Sequence, residues 1–469
     1  MEVVAIDTPA LGDRSYLAHD GSAAIVIDPQ RDIDRVLALA AASRVRITHV
    51  FETHLHNDYV TGGLALARLT GAAYHVNAAD PVAFDRVPAR DGDVIEVSPA
   101  ISVRVLATPG HTFTHLSYAL LAAGHTHAVF TGGSLLYGST GRPDLLGKAY
   151  AGELARAQHG SARRLADELP ADADVYPTHG FGSFCTATQS EGSQSGGTRA
   201  DDSASTIGAE RTVNPALILD EDSYVAQTLA GLDAYPAYYA HMGPANAAGP
   251  AAADLTPPRR ADAAELRRRI EAGEWVVDLR ARRAFAAGHL DGALGFDLDG
   301  SFATYLGWLI PWGTPLTLLG ETKEQVAEAQ RELVRIGIDR PQAAAHGGPA
   351  VWAAGQPLRS YPVADFADLA AVRHHRPVTV LDVRRDSEWD AAHIDGAVHV
   401  PLHDLPARIG ELPGGELWVH CQAGYRASVA AAFLDAADRA VVAVDDDFGR
   451  AASAGLPLVI PGPESRASV

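Results

Sequence analysis

Cysteine is nearly absent from this chain of 469 residues, which contains only Cys185 and Cys421. Two cysteines cannot build a disulfide framework, so each thiol has to be judged for its own chemistry. Basic residues are also scarce, because 38 lysines and arginines against 58 aspartates and glutamates give a formal net charge of −20. An acidic surface repels phosphate backbones and anionic lipids, which argues against nucleic-acid and membrane partners.

The sequence also lacks a recognisable targeting segment and a membrane-spanning run. Residues 1–20 have no basic segment followed by an apolar core, and no uninterrupted apolar stretch approaches the length of a spanning helix. We therefore expect a soluble cytoplasmic protein. The sequence leaves the oligomeric state open, a homo-oligomer included.

Length and composition predict several domains, because a chain of this size exceeds what one hydrophobic core usually organises. Residues 186–206 are rich in Ser, Gly and Thr and predict a mobile surface loop. Residues 214–232 follow with apolar side chains at helical spacing. A Pro-, Gly- and Ala-rich stretch further on is typical of an interdomain linker. The predicted division is a first domain 1–245, a linker 246–258, a middle domain 259–356 and a last domain 357–469.

The middle and last domains repeat one pattern. "VVDLRARRAFAAGHLDGALGF" from Val276 matches "VLDVRRDSEWDAAHIDGAVHV" from Val380 at a constant offset. Each copy opens with a helix-like stretch, continues with an apolar strand that ends in Asp-x-Arg, and then has a histidine-containing turn. This alternation predicts two α/β domains with central parallel sheets.

In the first domain, four apolar strand-like runs each end in a short loop, and three of these loops carry histidine. His54, His56 and Asp58 follow the first run, His111 the second and His179 the fourth. Catalytic groups collect on loops at strand ends, so we expect these side chains to converge on one site.

The motifs "THLHND", "TPGHT", "FTGG" with "GRPDLL", and "PTHG" resemble the metallo-β-lactamase fold, an αββα sandwich. Among the branches of that fold, the chain is most similar to persulfide dioxygenases fused to rhodanese domains. The same motif order also occurs in glyoxalase II and lactamase-like hydrolases. The resemblance implies an α/β multidomain protein, in which a metallo-β-lactamase fold is followed by two rhodanese-like α/β domains.

The two-metal hydrolases of that superfamily hold their second metal with an Asp-His pair and a bridging aspartate. Here Tyr59 stands in place of the histidine and Gly133 in place of the bridging aspartate. Losing two ligands leaves too few donors for a tight second metal, so a two-zinc hydrolase is disfavoured.

The resemblance to persulfide dioxygenases implies one Fe(II) ion per chain, with zinc as the alternative, held by two histidines and a carboxylate. Those ligands would fall on His54, His111 and position 133, where glycine has no side chain. His56 or Asp58 could replace the missing ligand, or the domain could be an empty scaffold. The sequence leaves these three options open.

Other residues near this predicted pocket are candidates for substrate binding. We assign His179 and Arg142 to this role, since Arg142 could meet a carboxylate of a thiol carrier. A buried structural pair of Arg142 with Asp144 is the alternative. Cys185 is a candidate sulfur relay, with a small apolar filler as the alternative.

The last domain carries the sharpest pattern, an apolar strand, a six-residue turn from Cys421 to Arg426, and a helix predicted to begin at Ala427 or Ser428. A thiol that faces a helix N-terminus and is followed by arginine favours the nucleophilic thiolate form. The turn resembles the rhodanese active-site loop. This implies that Cys421 carries sulfane sulfur, that Arg426 helps to hold an anionic substrate, and that Gly424 belongs to the cradle of backbone amides. The Cys-x4-Arg spacing is one residue shorter than that of phosphatase loops.

The middle repeat has Gly320 where the thiol belongs, so it cannot run the same reaction and is predicted to be a spacer or partner surface. Together, these features predict that a low-molecular-weight thiol persulfide is oxidised to sulfite at a mononuclear iron site. This oxidation would be coupled to persulfide or thiosulfate sulfur transfer at Cys421, with sulfite or thiosulfate as small-molecule partners. The alternatives are a sulfurtransferase with a non-catalytic first domain and a glyoxalase II-like thioester hydrolase.

Overall fold

The computed structural model describes residues 1–187, 204–298 and 300–460. Most of the segment predicted as a mobile loop, 188–203, lies outside the described residues. The chain divides into two compact units, Met1–Asp254 with Leu333–Asp339, and Leu255–Glu332 with Arg340–Val469.

Two β-sheets form the centre of the first unit. Its strands are β1 (Glu2–Thr8), β2 (Asp13–His19), β3 (Ala23–Ile27), β4 (Arg46–Phe51), β5 (Ala73–Asn77), β6 (Val87–Ala89), β7 (Val94–Glu96), β8 (Ile101–Ala107), β9 (Leu116–Ala122), β10 (His125–Gly132), β11 (Asp174–Pro177) and β12 (Ser205–Thr206). Within the described residues they form two six-stranded sheets, in the orders β1-β2-β3-β4-β5-β6 and β12-β11-β10-β9-β8-β7.

Helices cover the outer faces of both sheets. They are α1 (Asp34–Ser43), α2 (Gly63–Thr70), α3 (Ala151–Glu168), α4 (Ile207–Val213), α5 (Pro215–Ile218), α6 (Glu221–Ala230) and α7 (Tyr239–Ala248). Strand alternation sends neighbouring side chains into different cores. On β2, Tyr16 joins Phe51 and Tyr118 between the sheets, whereas Leu17 packs with Val36 of α1 on the outer side. The other sheet packs on α3 to α6, so the predicted αββα sandwich is confirmed.

The second unit contains two parallel sheets. Its strands are β13 (Trp275–Asp278), β14 (Leu294–Gly295), β15 (Leu316–Gly320), β16 (Ala343–His346), β17 (Val363–Ala364), β18 (Thr379–Asp382), β19 (His393–Ile394), β20 (Val398–His399), β21 (Leu417–His420), β22 (Val441–Val444) and β23 (Leu458–Val459). The sheet orders are β14-β13-β15-β16 and β17-β22-β21-β18-β20, which confirms the predicted central parallel sheets. The short strands β19 and β23 form a separate antiparallel pair. The remaining helices of the chain are α8 (Ala263–Glu271), α9 (Arg282–Ala287), α10 (Phe302–Leu309), α11 (Lys323–Arg335), α12 (Pro349–Ala353), α13 (Phe366–Arg373), α14 (Asp386–Ala391), α15 (Leu405–Arg408) and α16 (Tyr425–Ala436).

The two parallel sheets place Gly320 and Cys421 at equivalent positions. Gly320 follows Leu319, which pairs with Asp278, and Cys421 follows His420, which pairs with Asp382. The middle repeat therefore has glycine at the position of the thiol. One prediction was wrong, because α16 begins at Tyr425 rather than at residue 427 or 428. Within the described residues, no helix is long and apolar enough to cross a membrane.

Candidate functional site

The loops after β4, β8 and β11 bring five buried donor residues together in the first unit. His54, His56, Asp58, His111 and His179 are each at most 1% exposed. Their donor atoms form two overlapping groups within 4.8 Å, one of His54, His111 and His179 and one of His56, Asp58 and His179.

Three of these histidines share one arrangement of their ring nitrogens. Nε2 of His54 and Nε2 of His179 lie 3.4 Å apart, and Nε2 of His111 is buried without a hydrogen-bond partner among the described residues. Nδ1 of each ring is held by an anchoring group, which leaves Nε2 to face the common space, as in metal-binding histidines. The anchors of His54, His111 and His179 are the Thr53 hydroxyl, the Arg142 carbonyl and the Asp13 carboxylate, each at 2.9 Å.

Burial and nearby carboxylates set the charge of these rings. Burial and then His56 hold the pKa of His54 well below its usual value, and burial and then His179 lower the pKa of His111 to about 3. Both rings are therefore neutral, as metal ligands must be. Burial also lowers the pKa of His179, but Asp58 and Asp13 raise it more, to about 10. A metal ion at the three Nε2 atoms would displace the proton that His179 then carries.

Gly133 provides the space that the His111 ring occupies. An ideal Cβ at Gly133 would lie 2.3 Å from Cδ2 of His111, and one at Gly141 would lie 2.6 Å from Nδ1 of the same ring. A carboxylate at position 133 is therefore incompatible with this position of His111. Beside His54 and His111, His179 supplies the third donor, so the residues present fit one metal ion held by three histidines.

Gly133→Asp is expected to disrupt the site, although it restores a carboxylate at the position where the resemblance implies one. The new Cβ would push His111 out of place. This should lower the free energy of unfolding by about 1–3 kcal/mol and the amount of bound metal by about tenfold or more. Urea denaturation and metal analysis measure both effects. Gly152→Ala is the matched control, because open space surrounds Gly152. Unchanged or higher metal content in Gly133→Asp would contradict the expectation.

Tyr59 holds His56 where a second metal would need a nitrogen ligand. Its hydroxyl lies 3.0 Å from Nε2 of His56, and the two rings stack with centroids 4.3 Å apart. The same Nε2 lies 3.3 Å from Asp28 and 3.3 Å from Glu52. Burial lowers the pKa of His56, but these carboxylates raise it to about 9. Nδ1 of His56 and both oxygens of Asp58 lack hydrogen-bond partners among the described residues, so both side chains stay candidate ligands.

Arg142 forms the buried structural pair that the sequence left as an alternative. Its guanidinium is 2% exposed and donates to both oxygens of Asp144, at 2.7 and 2.8 Å. It also donates to the carbonyls of Phe184 at 3.2 Å and Asp233 at 2.6 Å. These bonds fix the loops beside His111, and the substrate-binding role of Arg142 stays a prediction.

Cys185 lies beside the histidine group with its side chain fully buried. Its thiol is 3.9 Å from the Tyr239 hydroxyl. Burial, and then Asp58 and Asp13, raise the pKa of this thiol well above its usual value. The thiol is therefore protonated at neutral pH and a weak nucleophile, while its role as a relay stays a prediction.

The sequence patterns did not point to Asp13, Asp28 or Glu52. Each is a buried acidic residue at an end of a strand, and acidic residues are seldom buried unless they are paired. A carboxylate directly after an apolar run, such as Asp28 after β3, is the sequence signal that could have identified these residues.

In the second unit, Cys421 lies directly after β21, in the turn that leads into α16 at Tyr425. Its side chain is 2% exposed, and its sulfur accepts a hydrogen bond from the Gly424 amide at 3.2 Å. Gly424 has φ 89°, and a Cβ there would lie 2.2 Å from Asp445, so the turn requires glycine. The turn therefore presents the sulfur to a backbone donor and to the positive end of a helix.

Arg426 lies in the first turn of α16 and is paired rather than open. Two bonds of 2.5 and 2.7 Å join its guanidinium to Glu388. Burial raises the pKa of Glu388, but Arg426 lowers it more, to about 2.

The middle repeat contributes α10 to a narrow cleft beside this pair. The cleft is lined by Tyr305, Trp308, Leu309, Val383, Arg385, Leu402, His403 and Arg426.

Glu388→Ala is expected to destabilise the protein by about 3–5 kcal/mol, because it leaves the buried Arg426 charge without its partner. Urea denaturation followed by tryptophan fluorescence measures the change. Glu411→Ala is the control, because it removes an exposed pair with Arg408 at 2.9 Å and should cost about 1 kcal/mol at most. Equal effects of the two substitutions would contradict a role for Glu388 in compensating the buried charge of Arg426.

Comparison with known proteins gives a family match in each unit. The metallo-beta-lactamase superfamily matches residues 11–179, and the rhodanese-like domain matches residues 365–450. A hydroxyacylglutathione hydrolase of Anaeromyxobacter dehalogenans is 30% identical over 232 residues, which cover 45% of this chain and 84% of the relative. The chain therefore belongs to the metallo-β-lactamase superfamily and carries a rhodanese-like domain.

Relatives with two different activities match the first unit. The human mitochondrial persulfide dioxygenase ETHE1 is 28% identical over 221 residues, which cover 46% of this chain and 74% of that protein. The chain spans only 57% to 64% of the length of four hydroxyacylglutathione hydrolases, from Polaromonas, Nitrosococcus and Pseudomonas. A crystal structure of a metallo-beta-lactamase from Staphylococcus aureus shares the fold, with a TM-score of 0.63 and 24% identity over 74% of this chain and 98% of that one.

Proposed function

We propose that this protein oxidises a low-molecular-weight thiol persulfide to sulfite in its first unit and transfers sulfane sulfur at Cys421 in its second. The observation that carries the proposal is the group of three histidines whose Nδ1 atoms are anchored and whose Nε2 atoms face one space. The likeness to a persulfide dioxygenase and the rhodanese-like domain support it.

In the first unit, His54, His111 and His179 would hold one Fe(II) ion, with zinc as the alternative metal. The ion would supply the redox chemistry by which one dioxygen and one water convert the persulfide RSSH into RSH, sulfite and two protons. The Thr53 hydroxyl, the Arg142 carbonyl and the Asp13 carboxylate keep the three histidine rings in place. Full burial of the histidines keeps competing water away from the reacting sulfur.

In the second unit, the Cys421 thiolate would attack the outer sulfur of a persulfide. The S–S bond of the donor breaks, RSH leaves, and Cys421 carries a persulfide that the Gly424 amide stabilises. Sulfite then attacks the outer sulfur of this persulfide, the electron pair returns to Cys421, and thiosulfate leaves. Both steps are sulfur transfers and need no oxidant.

Thioester hydrolysis is the second candidate for the first unit. Relatives named hydroxyacylglutathione hydrolase favour it, as does the second donor group of His56, Asp58 and His179. Tyr59 and Gly133 weigh against it, because they stand where two further ligands of a second metal would be.

One set of assays on the iron-loaded protein separates these functions. Glutathione persulfide serves as the probe for oxygen uptake and sulfite release, and a hydroxyacyl thioester of glutathione serves as the probe for hydrolysis. We expect about one dioxygen consumed per persulfide and no thioester cleavage. Thioester cleavage without oxygen uptake would favour the hydrolase. Sulfur transfer alone would favour a sulfurtransferase whose first unit is non-catalytic.

A further inference from the structure

Asp13 contacts His179 from a distant part of the sequence. It begins β2, yet its carboxylate contacts Nδ1 of His179, 166 residues further along the chain, at 2.9 Å. Asp13 is 1% exposed, and its second oxygen has no hydrogen-bond donor among the described residues. Burying a carboxylate is costly unless it bonds a specific partner, and here that partner is a ring of the candidate metal centre.

The bond to Asp13 determines which nitrogen of His179 faces the other histidines. A carboxylate accepts the Nδ1 proton, so Nε2 is the nitrogen left to face a metal ion, and it lies 3.4 Å from Nε2 of His54. The other anchors are less exchangeable, because His111 is held by a backbone carbonyl and His54 by the hydroxyl of its own neighbour. Replacing Asp13 therefore removes the shortest contact of His179 Nδ1 and leaves the anchors of His54 and His111 unchanged.

Acidic side chains behind His179 also balance charge that the ligand set lacks, and Asp58 carries most of it, because burial and then Asp58 raise the pKa of Asp13 to about 7. With glycine at position 133, three neutral imidazoles would leave the double charge of a divalent cation uncompensated. Asp58 lies 3.2 Å from the same Nδ1, so two carboxylates stand behind one ligand ring. A carboxylate behind a ligating histidine fixes the ring and raises its basicity.

We infer that Asp13 is a positioning residue that turns His179 into the third ligand of a three-histidine metal centre, in place of the carboxylate missing at position 133. The inference rests on the proposed function, because it needs a metal at His54, His111 and His179. It predicts a specific loss of metal affinity when Asp13 is replaced.

Cobalt titration of the metal-free full chain tests this inference. Visible absorption reports the ligand geometry, and competition with a chelator gives the affinity. Asp13→Ala should bind Co²⁺ about 10- to 100-fold more weakly than the unchanged chain, with an altered spectrum. Asp13→Asn keeps the size and one acceptor oxygen, so it should lose less affinity than Asp13→Ala. Asp80→Asn is the control, because Asp80 is a buried carboxylate of the same unit that bonds Thr114 instead.

The outcomes separate this inference from the proposed function. If the unchanged chain binds no Co²⁺, the role of Asp13 and the metal centre of the proposed function are both overturned, whereas sulfur transfer at Cys421 is not. If it binds Co²⁺ and Asp13→Ala binds it equally well with the same spectrum, only the role of Asp13 is overturned. A loss of similar size in Asp80→Asn would also overturn that role, because it would trace the effect to general destabilisation. Should Asp13→Ala fail to fold by circular dichroism, an unchanged affinity and spectrum in Asp13→Asn would overturn the inference.

Discussion

Cys421→Ala is expected to lower sulfur transfer by about 1,000-fold or more, because the reaction has no other nucleophile in the second unit. Oxygen uptake with glutathione persulfide should stay close to that of the unchanged protein, since the candidate metal centre lies in the first unit. Thiosulfate formation from persulfide and sulfite, followed without oxygen, measures the first effect. An oxygen electrode measures the second.

The other cysteine of the chain provides the matched control. Cys185→Ala removes a buried thiol beside the histidine group and should leave anaerobic sulfur transfer unchanged. If Cys421→Ala abolished oxygen uptake as well as sulfur transfer, the proposed division of labour between the two units would be wrong. If Cys185→Ala abolished sulfur transfer, the assignment of the nucleophile would be wrong.

His111→Ala is expected to weaken the affinity for the metal about 10- to 100-fold. It should also lower the rate of oxygen uptake by about 100-fold or more. The ring supplies one of three converging Nε2 atoms, and the two glycines that surround it leave no other side chain to replace it. Elemental analysis and the oxygen electrode measure the two effects. Sulfur transfer at Cys421 should persist, which shows that the chain still folds.

His127 on β10 provides the control for this substitution. It is an exposed histidine of the same unit, so His127→Ala removes an imidazole without touching the candidate centre. We expect wild-type metal content in this variant. Metal retained at the wild-type level in His111→Ala would contradict the three-histidine assignment and favour the group of His56, Asp58 and His179.

Local sequence patterns were enough to predict much of the fold and of the candidate site. The parallel sheets of the second unit were predictable because the Asp-x-Arg strand repeats at a fixed offset, and the histidine loops because each follows an apolar run. The start of α16 was not, because Gly424 at φ 89° turns the chain into the helix two or three residues before the start that the sequence pattern predicts. The anchors of His111 and His179 depend on contacts between distant segments, such as Asp13 with His179, which no local pattern encodes.

The structure gives glycine at position 133 a different interpretation from the one that the sequence suggests. In the sequence it is a lost ligand, which argues for an empty site. In the structure the same glycine makes room for His111, and His179 lies where a third donor is needed. The absence of a carboxylate at this position is therefore consistent with a metal centre of different composition.

The metal content of protein purified without oxygen from iron-supplied cells tests the proposed function most directly. Reported as moles of iron and zinc per chain, it should give about one iron, as expected for one site with three histidine ligands. Near absence of both metals would contradict the metal centre and leave Cys421 with the only chemistry of the chain.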